Sequence, residues 1–150
     1  MRVLQILLVL TALPTALLGA PCERPVRLLF WSPEISSSNP LDNLPRVELL
    51  KCNTGVLQFQ AWEPRNKRPL FVQDTNSEGI EQLVTMGNYL VFVGSGGTRD
   101  RLWVISVEDR QPKVILHQNP SSVSIETTNR TLRIAVEHGW KKTIYSYPPN

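Results

Sequence analysis

The sequence predicts an all-β domain built from antiparallel β-meanders. Three observations carry that expectation. Beyond the first twenty residues no apolar pattern of helical period survives. Short runs rich in Val, Ile, Leu, Phe, Tyr, Trp and Thr recur instead, separated by polar and Gly/Pro clusters. The chain also repeats its own apolar pattern when shifted by 42 residues.

The N-terminal "MRVLQILLVLTALPTALLGA" reads as a secretory signal peptide over residues 1–20. Arg2 precedes an apolar core from Val3 to Leu10, Pro14 interrupts the tract, and it ends in Gly19-Ala20. The core is short for a membrane anchor, and Pro21 between Ala20 and Cys22 argues against lipid attachment. Cleavage is expected after Ala20, leaving residues 21–150 as one domain of about 130 residues, enough for a real core. No second apolar stretch reaches spanning length, so no stable membrane insertion is expected. The formal net charge is +3, or +2 without Arg2, too slight to imply nucleic acid. The one basic cluster, Arg65-Asn66-Lys67-Arg68, reads as a solvated loop.

An exported chain with two cysteines, Cys22 and Cys52, most simply forms one disulfide. On the chain-entropy view, closing a loop of that length contributes roughly 3–4 kcal/mol and ties the N-terminal segment to the body. No metal site or cofactor is expected, because His117 and His138 lie far from the cysteines and from each other in sequence.

Eleven strands follow in order: Val26–Trp31, Val47–Leu50, Val56–Trp62, Leu70–Gln73, Ile80–Val84, Tyr89–Val93, Leu102–Val107, Lys113–His117, Ser122–Glu126, Thr131–Val136 and Thr143–Tyr147. Residues 32–46 form a long Pro/Ser/Asn loop inside the disulfide-closed segment. Alternation then assigns faces. In "YLVFV", Tyr89, Val91 and Val93 point one way, Leu90 and Phe92 the other. In "LWVISV", Leu102 and Val104 oppose Trp103, Ile105 and Val107. Strands apolar on both sides must be covered on both sides, so these two are central. "TLRIAV" puts Leu132, Ile134 and Val136 on one face and Thr131, Arg133 and Ala135 on the other, as a half-exposed strand does.

Under the 42-residue shift Leu83 falls on Ile125, Thr85 on Thr127, Leu90 on Leu132, Phe92 on Ile134, Gly97 on Gly139, Leu102 on Ile144 and Trp103 on Tyr145. Both copies read strand, tight turn, strand, Gly-containing loop, strand. A looser third copy spans residues 56–72. A unit of this length resembles a β-propeller blade of the broad WD40 or TolB type. "FWSPEI" (Phe30 to Ile35) is similar to the turn of TolB-like blades, and "LWVISVEDRQPKVIL" to their last two strands. The resemblance implies a partial propeller. The remaining chain holds about three such units, whereas closed propellers use about four to eight. A partial propeller leaves room for pairing with another chain, a homo-oligomer included; a two-layer sandwich or small barrel is the alternative.

The loop Gly94-Ser95-Gly96-Gly97 has the vocabulary of an active site, but its neighbours do not fit one. A nucleophile elbow needs a glycine two residues before the serine and a helix after it; Val93 precedes and a strand follows. A phosphate loop needs Lys after the last glycine and a helix N-terminus; Thr98 and Arg99 follow. The glycines are expected to supply positive φ in a hairpin connection. The carboxylate pairs Glu108/Asp109 and Glu78/Glu81 read as solvated strand ends without the environment that would separate their pKa values. No catalytic residue is assigned. Asn129-Arg130-Thr131 is a glycosylation sequon at a tight turn, meaningful in a eukaryotic secretory pathway.

The expected function is non-catalytic recognition of a protein or cell-envelope component, in a secreted or periplasmic setting. The loops equated by the repeat carry it, through Ser95, Arg99, Asp100, Arg101, His138 and Trp140. Trp140 has a competing reading as a rim residue that covers core. "VGSGGTRDRLW" also resembles the plugging loop of periplasmic lysozyme inhibitors, which implies Ser95 with Arg99 or Arg101 in a target cleft. A small hydrolase is the remaining alternative, and it would need His117 or His138 as a base.

Overall fold

The computed structural model describes residues 21–31, 46–62, 69–97, 101–108 and 111–148. The leader-like residues 1–20, the Pro/Ser/Asn loop over 32–45 and the basic cluster at 65–68 lie outside the described residues. Arg46, read from sequence as the end of that loop, already pairs with Trp62.

Among the described residues eleven strands form, each overlapping a run expected from the sequence: β1 (Val26–Trp31), β2 (Arg46–Lys51), β3 (Leu57–Trp62), β4 (Phe71–Asp74), β5 (Gly79–Met86), β6 (Tyr89–Ser95), β7 (Leu102–Glu108), β8 (Gln111–Gln118), β9 (Ser122–Thr128), β10 (Thr131–His138) and β11 (Lys141–Tyr147). They make three antiparallel meanders in chain order. The first sheet is β1-β2-β3-β4, the middle sheet β5-β6-β7-β8, and the third β9-β10-β11. The sheets stack face to face and do not close into a barrel. Pro112 sits on β8, an edge strand of the middle sheet, where the missing N–H is tolerated.

The middle sheet is the shared layer. Leu90, Phe92, Trp103, Ile105 and Val107 pack with Trp31, Val47, Leu49, Leu57, Phe59 and Ala61 of the first sheet. Tyr89, Val91, Val93, Leu102 and Val104 pack with Leu132, Ile134 and Val136 of the third. The face assignments from alternation hold residue by residue. Phe59 meets Phe92 edge to face, with ring centroids 5.3 Å apart. Trp103 is core as expected; its ring stacks on His117, and its indole N–H is buried without a hydrogen-bond partner. On the other side Tyr89 packs against Tyr147. Burial, followed by the neighbouring Tyr145 and Tyr89, raises the Tyr147 phenol above its ordinary pKa.

The 42-residue shift preserves strand register. Leu83↔Phe92 becomes Ile125↔Ile134, and Thr85↔Leu90 becomes Thr127↔Leu132. Across the next ladder, Phe92↔Trp103 becomes Ile134↔Tyr145, and Leu90↔Ile105 becomes Leu132↔Tyr147. Leu90 and Phe92 face the first sheet; their counterparts Leu132 and Ile134 face the middle one. The third sheet therefore presents to the middle sheet the face that the middle sheet presents to the first. Its outer face carries Ser124, Glu126, Arg133 and Lys142, a polar finish suited to the end of a stack.

Two-residue turns close these hairpins, each with its own backbone solution. Gly87 (φ 54°) and Gly139 (φ 61°) occupy the first turn position in Gly87-Asn88 and Gly139-Trp140. This suits a type II′ turn. Asn129-Arg130 instead has positive φ at both positions, 49° and 62°, as a type I′ turn requires. Asn tolerates that region, whereas Arg is strained there. Cys22 and Cys52 form the expected disulfide, their Cα atoms 5.4 Å apart, and it fastens the segment before β1 to the β2–β3 turn.

The strain at Arg130 makes a prediction. Arg130→Gly gives Asn-Gly, the preferred type I′ pair, and is expected to stabilise the domain by about 0.5–1 kcal/mol. A urea midpoint that is unchanged or lower contradicts this account of the turn.

Candidate functional site

The meander places alternate connections at the same end of all three sheets. The end that holds the sequence-predicted loops gathers the β4–β5 link (Thr75–Glu78), the β6–β7 loop after Ser95, the β8–β9 link (Asn119–Ser121) and the β10–β11 turn Gly139-Trp140. The disulfide and the β2–β3 turn lie at this end too, because β2 runs antiparallel to β3 and β3 to β4.

The glycines of the β6–β7 loop are explained mostly by packing. Only Gly96 needs positive φ, at 74°. A Cβ on Gly94 would lie 2.0 Å from Ser77 Oγ, and one on Gly97 would lie 1.9 Å from the Asn76 carbonyl oxygen. The β4–β5 link runs directly against this loop and is itself tied down. Leu57 N–H donates to the Ser77 carbonyl (2.7 Å), Thr75 N–H to the Leu57 carbonyl (3.1 Å) and Glu78 N–H to the Ser95 carbonyl (3.0 Å). Inside it, the Thr75 hydroxyl donates to the Leu57 carbonyl and accepts from Ser77 N–H. The positive-φ expectation is thus corrected for Gly94 and Gly97, whose missing side chains allow close backbone approach.

Of the sequence-predicted site residues, Arg99 and Asp100 lie outside the described residues. Ser95 is exposed, with its carbonyl used by Glu78. Arg101 behaves as a tie: it pairs with Glu81, reaches the Gly94 carbonyl through Nε (3.4 Å), and makes a long contact through Nη1 to the Pro120 carbonyl (3.5 Å). His138 Nε2 lies 2.9 Å from Gln118 Oε1, while Gln118 Nε2 donates to the Tyr145 hydroxyl (2.7 Å). The Ser121 hydroxyl donates to the Glu137 carbonyl (2.8 Å) and accepts from Gly139 N–H (3.2 Å).

The β8–β9 link, missed from sequence, therefore joins the two predicted loops: Pro120 contacts Arg101 and Ser121 holds Glu137 and Gly139, while Gln118 at the end of β8 meets His138. The local signal was the Asn119-Pro120-Ser121 cluster, which reads as a turn but does not show what it bridges. Trp140 stands at the tip of that turn, 97% exposed. It covers no core, which settles against the rim-packing reading. Lys141 and Lys142 follow it, both exposed, with Lys142 Nζ 3.8 Å from Glu137.

A polar recess of about 320 Å³ lies at the same end beside the disulfide, lined in part by Gln58, Asp74 and Asn76. Behind it a side-chain ladder runs along β3. Trp62 Nε1 donates to Gln60 (3.2 Å), Gln60 to Gln58 (2.6 Å), and Gln58 to Asp74 (2.6 Å), with both glutamines buried. The sequence shows these glutamines only as the polar half of an alternating strand.

Several of the ionisable groups weighed from sequence have partners among the described residues. His117 stacks on Trp103, and His138 is engaged by Gln118. Glu81 is paired with Arg101. Glu108 is paired with Lys113, whose hydrogen bond and charge hold its carboxyl below the usual range. Among the described residues, no three His, Cys, Asp or Glu side chains group as metal ligands, and no helix is long and apolar enough to cross a membrane.

The close approach at Gly97 is testable. Gly97→Ala forces the β4–β5 link away and should cost about 1–3 kcal/mol or more, as overpacking does. Gly139→Ala meets nothing within 4 Å and should cost only the left-handed strain, about 1–2 kcal/mol. Urea unfolding that ranks the two the other way contradicts the packing explanation. Comparison with known proteins finds no matching family model, no similar curated protein and no similar solved structure.

Proposed function

We propose that this chain is an exported, non-catalytic binding domain that recognises a protein or an envelope component through the loop end of its stacked sheets, with Trp140 as the anchor. The leader-like N-terminus and the Cys22–Cys52 bridge support export. The observation that carries the binding role is the exposure of Trp140 on a fastened turn. A large aromatic ring held in water gains most when a partner desolvates it, and tryptophan is the residue type most enriched at binding hot spots. The fastening removes much of the ordering cost on association, because Gly139, Glu137 and His138 are already tied to Ser121 and Gln118. His138 and Lys141 flank the anchor in the chain and supply polar contacts beside it, and the exposed Ser95 offers another at the same loop end. Arg101 acts mainly by holding the loop, so its replacement loosens the site and does not merely delete a contact.

The test pairs binding with stability. Trp140→Ala should change unfolding stability by no more than about 0.5 kcal/mol. It should also weaken capture of a native partner from the source organism's envelope or culture fluid by about thirtyfold or more, the loss of a hot spot. Ile144→Ser, on the outer face of the third sheet, should leave capture unchanged. Equal capture by wild type and Trp140→Ala overturns the assignment. Loss of folding in Trp140→Ala would return the residue to a packing role.

A further inference from the structure

A binding edge distinct from the loop end is carried by β11. By the preserved register β11 is the counterpart of β7, yet the two strands have different surroundings. β7 lies between β6 and β8, while among the described residues β11 pairs with β10 alone. Its seven residues are flat in register and free of bulges. Along the strand Lys142, Ile144 and Ser146 are exposed, and Thr143, Tyr145 and Tyr147 are half-buried against the middle sheet. Ile144, 51% exposed, is the only large apolar side chain that the strand shows to water. An edge of this kind offers a row of backbone donors and acceptors to another strand.

We propose that β11 pairs antiparallel with β11 of a second copy of this chain, joining two third sheets into one six-stranded sheet. The side chains select both the occupant and the register. A two-fold axis at Ile144 lets all seven residues pair. It sets Ile144 against itself, Lys142 against Ser146, Thr143 against Tyr145 and Lys141 against Tyr147. Each pair is favourable or neutral: apolar on apolar, β-branched on aromatic, and a lysine over a tyrosine ring. No like charges stand opposite. Centring one pair earlier shortens the ladder and places Lys142 beside Ile144; centring two earlier opposes Lys142 to itself. The strand is thus complementary to its own reverse when centred on Ile144, the one register that pairs all seven residues.

The geometry has a consequence for binding. Trp140 immediately precedes β11, so antiparallel pairing sends the two Trp140 turns to opposite ends of the shared sheet, separated by about 27 Å, eight residue steps along the strand direction. Such a dimer presents two loop ends facing away from each other. This inference does not depend on the proposed binding role, since it concerns a different edge and is read by self-association alone.

The experiment uses the full chain with its disulfide intact. Both native cysteines are bonded to each other, so an introduced thiol is unique. Sedimentation velocity should give a concentration-dependent dimer for the wild type. Ile144→Cys should form a covalent dimer on mild oxidation, because opposed Cα atoms about 4.5–5.5 Å apart suit a disulfide. Arg133→Cys, on the same face of the central strand β10, should not. Lys142→Cys and Ser146→Cys should each stay uncrosslinked alone and crosslink when mixed. Ile144→Lys places like charges opposite and should weaken the dimer at least tenfold while leaving the circular dichroism spectrum unchanged. A wild type that stays monomeric overturns the proposal, whether the edge is empty or filled by another segment of its own chain. A dimer that Ile144→Cys fails to lock, or that survives Ile144→Lys unchanged, overturns it equally.

Discussion

The structure depends on one constraint: the middle sheet is apolar on both faces and must be covered twice. Val91 and Phe92 are neighbours in the chain and point into different cores. Each fully buried side chain of this kind contributes roughly 1.5–3 kcal/mol when removed from water, and neither outer sheet alone covers both sets. A lone four-stranded meander with apolar residues on both faces would leave both sets in water, so it must be covered on both sides. The middle sheet therefore depends on both outer sheets for its cover. The polar outer face of the third sheet fits the same logic, since Arg133 and Glu126 occupy positions equivalent to Val91 and Val84, where the middle sheet needs apolar contacts.

The loop end inherits its rigidity from that body. Strand ends from all three sheets converge there, and their connections cross-brace each other through backbone carbonyls. Ser77 and Asn76 press against Gly94 and Gly97; Ser121 holds Glu137 and Gly139. A serine among glycines first suggests chemistry. Here the glycines make room for a neighbouring backbone, and the serine's carbonyl serves that neighbour. The chemically distinctive group is Trp140, exposed on a turn whose flanking atoms are already committed.

Strand positions and facing were legible in the sequence because alternation is a local property: each residue of "YLVFV" declares its own side. The equivalence of the second and third meanders was legible through the 42-residue shift; the pairing partners themselves came only with the structure, which shows that the shift carries them along. Contacts between elements distant in sequence were not. Nothing near Gly97 indicates that Asn76 lies against it, and nothing near Gln118 indicates that His138 and Tyr145 share its amide. The burial of Gln58 and Gln60 was hidden for the same reason, since a polar residue on an alternating strand ordinarily faces water. Arg101 was read as a surface contact because its three partners come from β5, β6 and the β8–β9 link. Trp140 remained open between covering core and facing solvent, a question that only the path of the turn decides.

The double burial of the middle sheet is tested most directly by native-state hydrogen exchange. Amides of β6 and β7 should exchange last, together, and with the free energy of global unfolding, while β9 and β11 open earlier. Protection of β6 and β7 no greater than that of β9–β11, or exchange of β6 and β7 through a lower-energy opening that leaves the outer sheets closed, would contradict a fold organised around a doubly covered central layer.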